Sequence, residues 1–180
     1  MAHATPPTDF LLTTPRLGLR PWTLADAPAL YRLNADPEVL RYTGDTPFAS
    51  EAAAAAFIEA YDHYDRHGFG RWAVVRRSDG AFLGWCGLKR HVDGMVDLGF
   101  RLMRAYWGKG YATEAAAASL SYALGPLRLE EVIGRAMPEN RASVRILTKL
   151  GMTYWKTDAC GDFAGAAWYR ISAPGTGGAP

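Results

Sequence analysis

Apolar and polar residues alternate between Leu11 and Arg20, with Leu17 and Leu19 set between polar neighbours, and Pro21 closes the run. That period of two predicts a strand. Thr23-Leu24-Ala25-Asp26 has the spacing of a capping box, so a helix should run through Leu30 to about Asn34. Asp36-Pro37 predicts a second helix start, ending near Tyr42. Ser50 then caps an alanine-rich helical stretch, Glu51 to His67, that stops at Gly68.

The middle of the chain changes period. Trp72 to Arg76, Phe82 to Leu88 and Met95 to Leu102 are short apolar runs separated by Ser78-Asp79-Gly80 and Asp93-Gly94. They predict three strands in an antiparallel meander. A glycine-containing loop leads into a helix over about Ala112 to Leu124, stopped by Gly125-Pro126. A strand near Val132 to Ala136, a helix from about Arg141 to Leu150 and strands around Met152 to Trp155 and Ala167 to Ile171 follow. This order predicts an α/β (α+β) architecture, a mixed sheet with helices packed on it.

Composition narrows the function classes. A chain of 180 residues, 49% hydrophobic and 21% charged, has the size and make-up of one globular domain. A net charge of +2 argues against a dedicated nucleic-acid or membrane-surface binder. Cys86 and Cys160 alone cannot build a disulfide framework or an all-cysteine zinc site. There is no signal-like N-terminus and no apolar run of membrane-spanning length. The expectation is one cytoplasmic domain over residues 9–172, with 1–8 and 173–180 as flexible tails and no metal.

The most informative segment is Trp107-Gly108-Lys109-Gly110-Tyr111-Ala112-Thr113-Glu114-Ala115. Two glycines between a strand and a strong helix former allow backbone N–H groups to approach an anion at a helix N-terminus, with Lys109 adding a point charge. The same glycines would also serve a plain tight turn. A Walker loop is excluded, because Met103 stands where its first glycine belongs and Gly110 follows Lys109. The dinucleotide fingerprint is excluded because Thr113 replaces its third glycine.

Positions 107 to 112 resemble the acyl-CoA pyrophosphate loop of the GNAT superfamily of N-acetyltransferases, Gln/Arg-x-x-Gly-x-Gly/Ala, with Trp107 replacing the first residue. The longer Gly-Lys-Gly-Tyr-Ala-Thr-Glu-Ala is similar to the branch of bacterial ribosomal-protein N-terminal-alanine acetyltransferases. Thr14-Pro15-Arg16-Leu17-Gly18-Leu19-Arg20, Asp36-Pro37-Glu38-Val39, Leu83-Gly84-Trp85-Cys86-Gly87-Leu88 and Asp97-Leu98-Gly99-Phe100 resemble further pieces of that branch in order. So does Pro138 to Arg145 with its Lys149-Leu150-Gly151-Met152 exit.

The resemblance implies a twisted sheet of about seven strands whose fourth and fifth members splay apart to take the pantetheine arm. It implies acetyl-CoA as cofactor, coenzyme A as product and an acyltransferase activity by direct attack in a ternary complex. Phe100, Arg101 and Leu102 would offer backbone to the cofactor. Trp107, Gly108, Lys109, Gly110, Tyr111, Ala112 and Thr113 would cradle its pyrophosphate, and Asn140, Ser143 and Arg145 would complete the site. Arg104 and Arg141 add nearby positive charge.

Acyl transfer to an amine needs a neutral amine, a stabilised oxyanion and a protonated leaving thiolate. Asp97 occupies the family's acidic position, as a base acting through water, a recognition carboxylate or a salt-bridge member. Ser143 is the candidate thiolate acid, since Leu147 stands where many relatives carry a tyrosine. His91 is the reserve base, Glu114 complements the helix dipole, and Asn140 should both cap its helix and contact the cofactor. His63 and His67 are expected to face solvent, and Cys86 to be a buried strand residue. Tyr31, Trp85 and Tyr154 are candidates to line an acceptor pocket, with the segment Asp36 to Gly68 as its rim. The resemblance implies first a protein N-terminal α-amine as acceptor and second a small-molecule amine such as a polyamine, an amino acid or an antibiotic; a non-catalytic acyl-CoA-binding module is the reading from another class. A homodimer is left open.

Overall fold

A computed structural model describes residues 9–161 and 163–173. Eight strands among them form one sheet: β1 (Leu12–Thr13), β2 (Leu17–Arg20), β3 (Arg71–Arg76), β4 (Phe82–Arg90), β5 (Val96–Leu102), β6 (Glu131–Ala136), β7 (Thr153–Cys160) and β8 (Phe163–Ser172). Their order is β1-β2-β3-β4-β5-β6-β8-β7. All neighbours are antiparallel except β5 and β6. The helices are α1 (Ala27–Ala35), α2 (Pro37–Leu40), α3 (Glu51–Glu59), α4 (His63–His67), α5 (Tyr111–Leu124) and α6 (Arg141–Lys149).

The alternation along each strand sorts the sheet into two faces. Leu88, Leu98 and Leu102 point to the face covered by α5, whose Ala115, Ala116 and Ala123 are small enough to bring the helix close to the strands. α6 joins that layer through Leu147, which lies against Gly134 of β6. The opposite face carries α1 and α3, with Leu30, Leu33, Ala54 and Ile58 packed on Phe82, Trp85 and Met103.

Several expectations are corrected here. The run from Leu11 to Arg20 is not one strand but a hairpin, closed by Thr14 N–H on the Leu17 carbonyl, which raises the sheet from seven strands to eight. The predicted helix Glu51 to His67 breaks at Ala60–Asp62. Tyr61 and Tyr64 turn toward the sheet there, where the Tyr61 hydroxyl accepts from Arg71 N–H and the Tyr64 hydroxyl donates to the Arg71 carbonyl. The β7–β8 hairpin is far longer than its apolar residues suggested. Residue 173, assigned to a tail, donates its N–H to the Glu130 carbonyl, and the remaining tail residues lie outside the described residues.

Asp26 ties the first strand pair to the first helix. Its carboxylate accepts from Thr23 N–H, as the capping box predicts, and both oxygens meet Arg20 at 2.7 and 2.8 Å in a buried pair. Removing one member strands a buried charge, at a cost of about 3–5 kcal/mol. Asp26→Ala should therefore lower the melting temperature by roughly 6–20 °C, read by circular dichroism. A shift under about 2 °C would show that the pair contributes nothing net.

Candidate active site

β5 and β6 meet once. Asp97 opposite Ile133 is their one registered pair among the described residues, and beyond it the strands part. Met103 N–H bonds to the Leu83 carbonyl, so by antiparallel alternation the peptide groups of Gly99 and Arg101 serve β4. Those of Leu98, Phe100 and Leu102 turn toward β6 and the gap. The Leu102 carbonyl, however, already accepts from the Trp107 indole N–H at 2.7 Å. Trp107, in the position where the family carries Gln or Arg, thus pins the following loop to the end of β5.

That loop ends on the N-terminus of α5. Gly108 and Gly110 hold φ of 73° and 79°, which side chains rarely adopt, and Gly110 is the N-cap. The first helical bond of α5 is Glu114 N–H on the Gly110 carbonyl. The N–H groups of Gly108, Lys109, Gly110, Tyr111, Ala112 and Thr113 have no partner among the described residues. A row of free donors at a positive helix end fits a pyrophosphate. A Cβ on Gly108 would meet nothing within 4 Å, so the cradle is open at that point.

Arg16, which pattern reasoning placed only in a strand, belongs to this loop. Its guanidinium donates to Glu114 at 2.6 Å and to the Lys109 carbonyl at 2.9 Å, and lies 4.4 Å from the Tyr111 ring centroid. Glu114 also accepts from the Thr14 hydroxyl and the Arg16 N–H, so it clamps the β1–β2 turn to α5 as well as complementing the dipole. Its carboxyl is buried enough to be pushed up, and its bonds to Thr14 and Arg16 outweigh this and hold it low. Lys109 Nζ donates to the Ala105 carbonyl, and Arg104 pairs with Asp36 at 3.2 Å. Arg141 and Arg145 stay exposed on α6 with no partner among the described residues.

Asn140 caps α6 by accepting from Ser143 N–H at 3.2 Å. The half-buried Ser143 side chain is one turn before Leu147 and shares its face toward β6, and its hydroxyl has no partner among the described residues. The 107–113 loop follows β5 and the Asn140 cap follows β6, the two strands that part.

Asp97 is 6% exposed and lies where the two strands diverge. Arg71 from β3 and Arg135 from β6 each reach it at 2.8 Å, and His91 Nε2 is 3.3 Å away. Burial alone would raise its pKa; Arg71, His91 and Arg135 together outweigh burial and hold the carboxyl well below the usual carboxylate range. A carboxylate so held has little affinity for a further proton. Of its three expected roles, this is the geometry of the salt-bridge member.

The face opposite α5 and α6 alternates indoles and cations. Trp85 lies between the Arg71 and Arg101 guanidiniums, at 5.1 and 5.2 Å. Trp168 lies between Arg135 and Lys156, at 5.1 and 4.5 Å. Arg101 also donates to Asn34 of α1 and to Asp45. Above this floor, Phe163 at the tip of the β7–β8 hairpin lies against Gly44 in the α2–α3 loop. Trp85 is on this face and Tyr31 beside it, whereas Tyr154 pairs with Tyr169 on the other.

The remaining candidates are structural. His63 does not face solvent: its Nε2 accepts from Arg90 N–H at 2.9 Å, and desolvation and the neighbouring His67 push it down to about 4. Cys86 is buried 3.5 Å from the Ser119 hydroxyl, and burial pushes its thiol up to about 11. A cleft of about 440 Å³ between α1, α2 and the turn at Arg104–Tyr106 carries neither Asp97 nor Ser143.

Residues 16–153 match the acetyltransferase (GNAT) domain family, and the chain belongs to it. It is 32% identical to the uncharacterized N-acetyltransferase p20 of Bacillus licheniformis over 142 residues, 77% of this chain and 80% of that one. It is also 32% identical to the FsC-acetyl coenzyme A-N(2)-transacetylase of Aspergillus fumigatus, over 81% of this chain and 66% of the relative. The ribosomal-protein-S5-alanine acetyltransferase of Vibrio fischeri shares the fold at a TM-score of 0.77 and 13% identity, over 93% of this chain and 98% of that one. The protein is an acyltransferase of the GNAT type.

The Asp97 cluster sets an acid limit on stability. Its pKa is depressed on folding, so its contribution is complete above the unfolded value of about 4 and is lost as pH falls below it. Urea unfolding of the parent should show little change in this contribution from pH 7 to 5 and a steep loss below about pH 4. Asp97→Asn should be less stable at pH 7 by about 3–5 kcal/mol, with a shallower acid limb. Parallel pH profiles for the two proteins would refute the assignment.

Proposed function

We propose that this protein transfers an acetyl group from acetyl-CoA to a primary amine by direct attack in a ternary complex. The observation that carries the reading is the parting of β5 from β6 together with the unpartnered N–H groups of residues 108–113, in the segment that follows β5. Acetyl-CoA supplies the activated acyl thioester. Gly108 to Thr113 hold its pyrophosphate, with Arg145 and Arg141 toward its remaining phosphate charge, and Phe100 gives its peptide group to the pantetheine amides. As the tetrahedral intermediate collapses and the C–S bond breaks, Ser143 passes its hydroxyl proton to the departing thiolate and regains, through water, the proton shed by the attacking nitrogen. Asp97 acts as a positioning residue that fixes Arg71 and Arg135. The acceptor amine loses its proton to water as it enters the face carrying Trp85 and Trp168.

Two acceptor classes follow from the sequence, a peptide N-terminus and a small-molecule amine. The contact of Phe163 with Gly44 favours the second, because it joins the β7–β8 hairpin to the α2–α3 loop. The name of the Aspergillus relative, an N(2)-transacetylase, is in keeping with it. Following thiol release with acetyl-CoA and a panel of small amines and peptides tests the reading. Intersecting initial-velocity lines are expected; parallel lines would point to an acyl-enzyme, and no thiol release with any amine would overturn it.

Two substitutions separate cofactor binding from chemistry. Gly110→Val puts a side chain at φ 79° and 3.3 Å from Arg16 Nη2. It should leave a folded protein whose CoA affinity, measured by calorimetry, is at least 100-fold weaker, several charge-assisted bonds of ~1.5–3 kcal/mol each being lost. Ser143→Ala should lower turnover by roughly 10- to 10⁴-fold with a modest change in CoA affinity. Unchanged turnover would leave Ser143 as a helix-start residue only.

A further inference from the structure

Two cations at the divergence of β5 and β6 share one acid. Asp45 answers Arg101, and Asp158 answers Lys156 at 2.6 Å, whereas among the described residues Arg71 and Arg135 have only Asp97 between them. Among the described residues that leaves one uncompensated positive charge. Arg71 spends three of the four N–H groups at its tip, on the Gly87 carbonyl, the Asp97 carbonyl and the Asp97 carboxylate. Arg135 spends fewer. Its Nη2 meets Asp97 and His91, while Nε is buried without a partner and Nη1 donates to no group among the described residues. Three of its five N–H donors are therefore unused.

The neighbouring Trp168, 6% exposed, leaves its own indole N–H without a partner among the described residues. Buried donors are ordinarily paired, and two orphans in one contact are missing an acceptor. Arg135 leaves β6 two residues after Ile133, where the strands have begun to part, and reaches back to the point of divergence. An amine attacking there has this guanidinium beside it.

We propose that Arg135, oriented by Asp97 and backed by Trp168, binds a carboxylate on the acceptor, so that the acceptor is a small amine with a carboxylate next to it, an α-amino acid in chemical class. A single carboxylate matches the single surplus charge, and a planar guanidinium suits it. A polyamine fits poorly: the carboxylate at this position is already held by two arginines, and a second ammonium would meet their repulsion. This inference rests on the amine-acetylation reading above and narrows its acceptor.

The test compares free α-amino acids with the corresponding α-amino amides, a polyamine and short peptides, by thiol release from acetyl-CoA. The acid should exceed its amide in kcat/KM by about 10- to 100-fold, the range of charge-assisted hydrogen bonds. Arg135→Gln should bring that ratio close to one. Arg135→Lys keeps the charge toward Asp97 and guards against misfolding; it should melt like the parent yet lose most of the ratio. A second readout needs no turnover: with CoA present, calorimetry should show N-acetyl amino acids binding at least 10-fold tighter than their amides, and Arg135→Gln should abolish the difference. Amides, polyamines or peptides used as well as acids would overturn the inference and leave acetylation standing. No turnover of any amine would overturn both.

Discussion

The parting of β5 from β6 beyond Asp97 is the constraint on which the site depends. Each strand is held by a different set of partners. β5 closes the antiparallel run from β1, and Leu98 and Leu102 fix it under α5. β6 is paired along its whole length with β8, and Leu147 of α6 seats on Gly134. Two well-packed halves therefore meet along a short seam, and neither has to unravel for the gap to exist. Phe100, on the open side of the seam, presents peptide groups that a β6 neighbour would otherwise occupy, which suits an extended amide chain.

The Asp97 cluster staples that seam. Arg71 comes from one half and Arg135 from the other, and both end on the same carboxylate. Buried ion pairs of this kind offset their own desolvation and add little net stability, and their directional bonds specify one arrangement over others. Here the arrangement specified is the angle at which the halves diverge. Trp85 and Trp168 extend the control, since each indole is flanked by two cations. Side chains that would wander in open solvent are thereby held against flat apolar surfaces.

The sequence showed those parts of the site whose chemistry is local. Gly108 and Gly110 are legible because a left-handed backbone leaves glycine as its signature, and Asn140 because a cap needs a short polar side chain. The GNAT assignment follows from several such local pieces in order, and the family match bears it out. What could not be read is what distant residues do together. Arg71 and Arg135 are 26 and 38 positions from Asp97 and belong to strands whose apolar residues alone were informative. Arg16 is 98 positions from the Glu114 that recruits it. The β7–β8 hairpin was underestimated because Lys156, Asp158 and Ala159 carry little strand preference; pairing with β8 overrides it. Pro21 and Gly68 marked real ends, whereas the break at Ala60–Asp62 has no glycine or proline to announce it.

The same arginines that make Asp97 a poor proton acceptor remove much of the need for one. A positive charge near an amine disfavours its ammonium form. At about 6 Å in an effective dielectric of about 20, one unit charge disfavours the ammonium by about 3 kcal/mol, roughly two units of pKa. In a free α-amino acid the carboxylate works in the other direction, holding the proton on its neighbouring amine. Engaging that carboxylate with Arg135 withdraws this support at the moment the amine enters the site. The surplus charge and the acceptor's own carboxylate thus act together: one binds the other, and the amine is left easier to deprotonate by water. A base residue would have to be desolvated and kept unpaired at the divergence of the strands. Two arginines on one buried aspartate reach the same end with every charge either paired or waiting for the substrate.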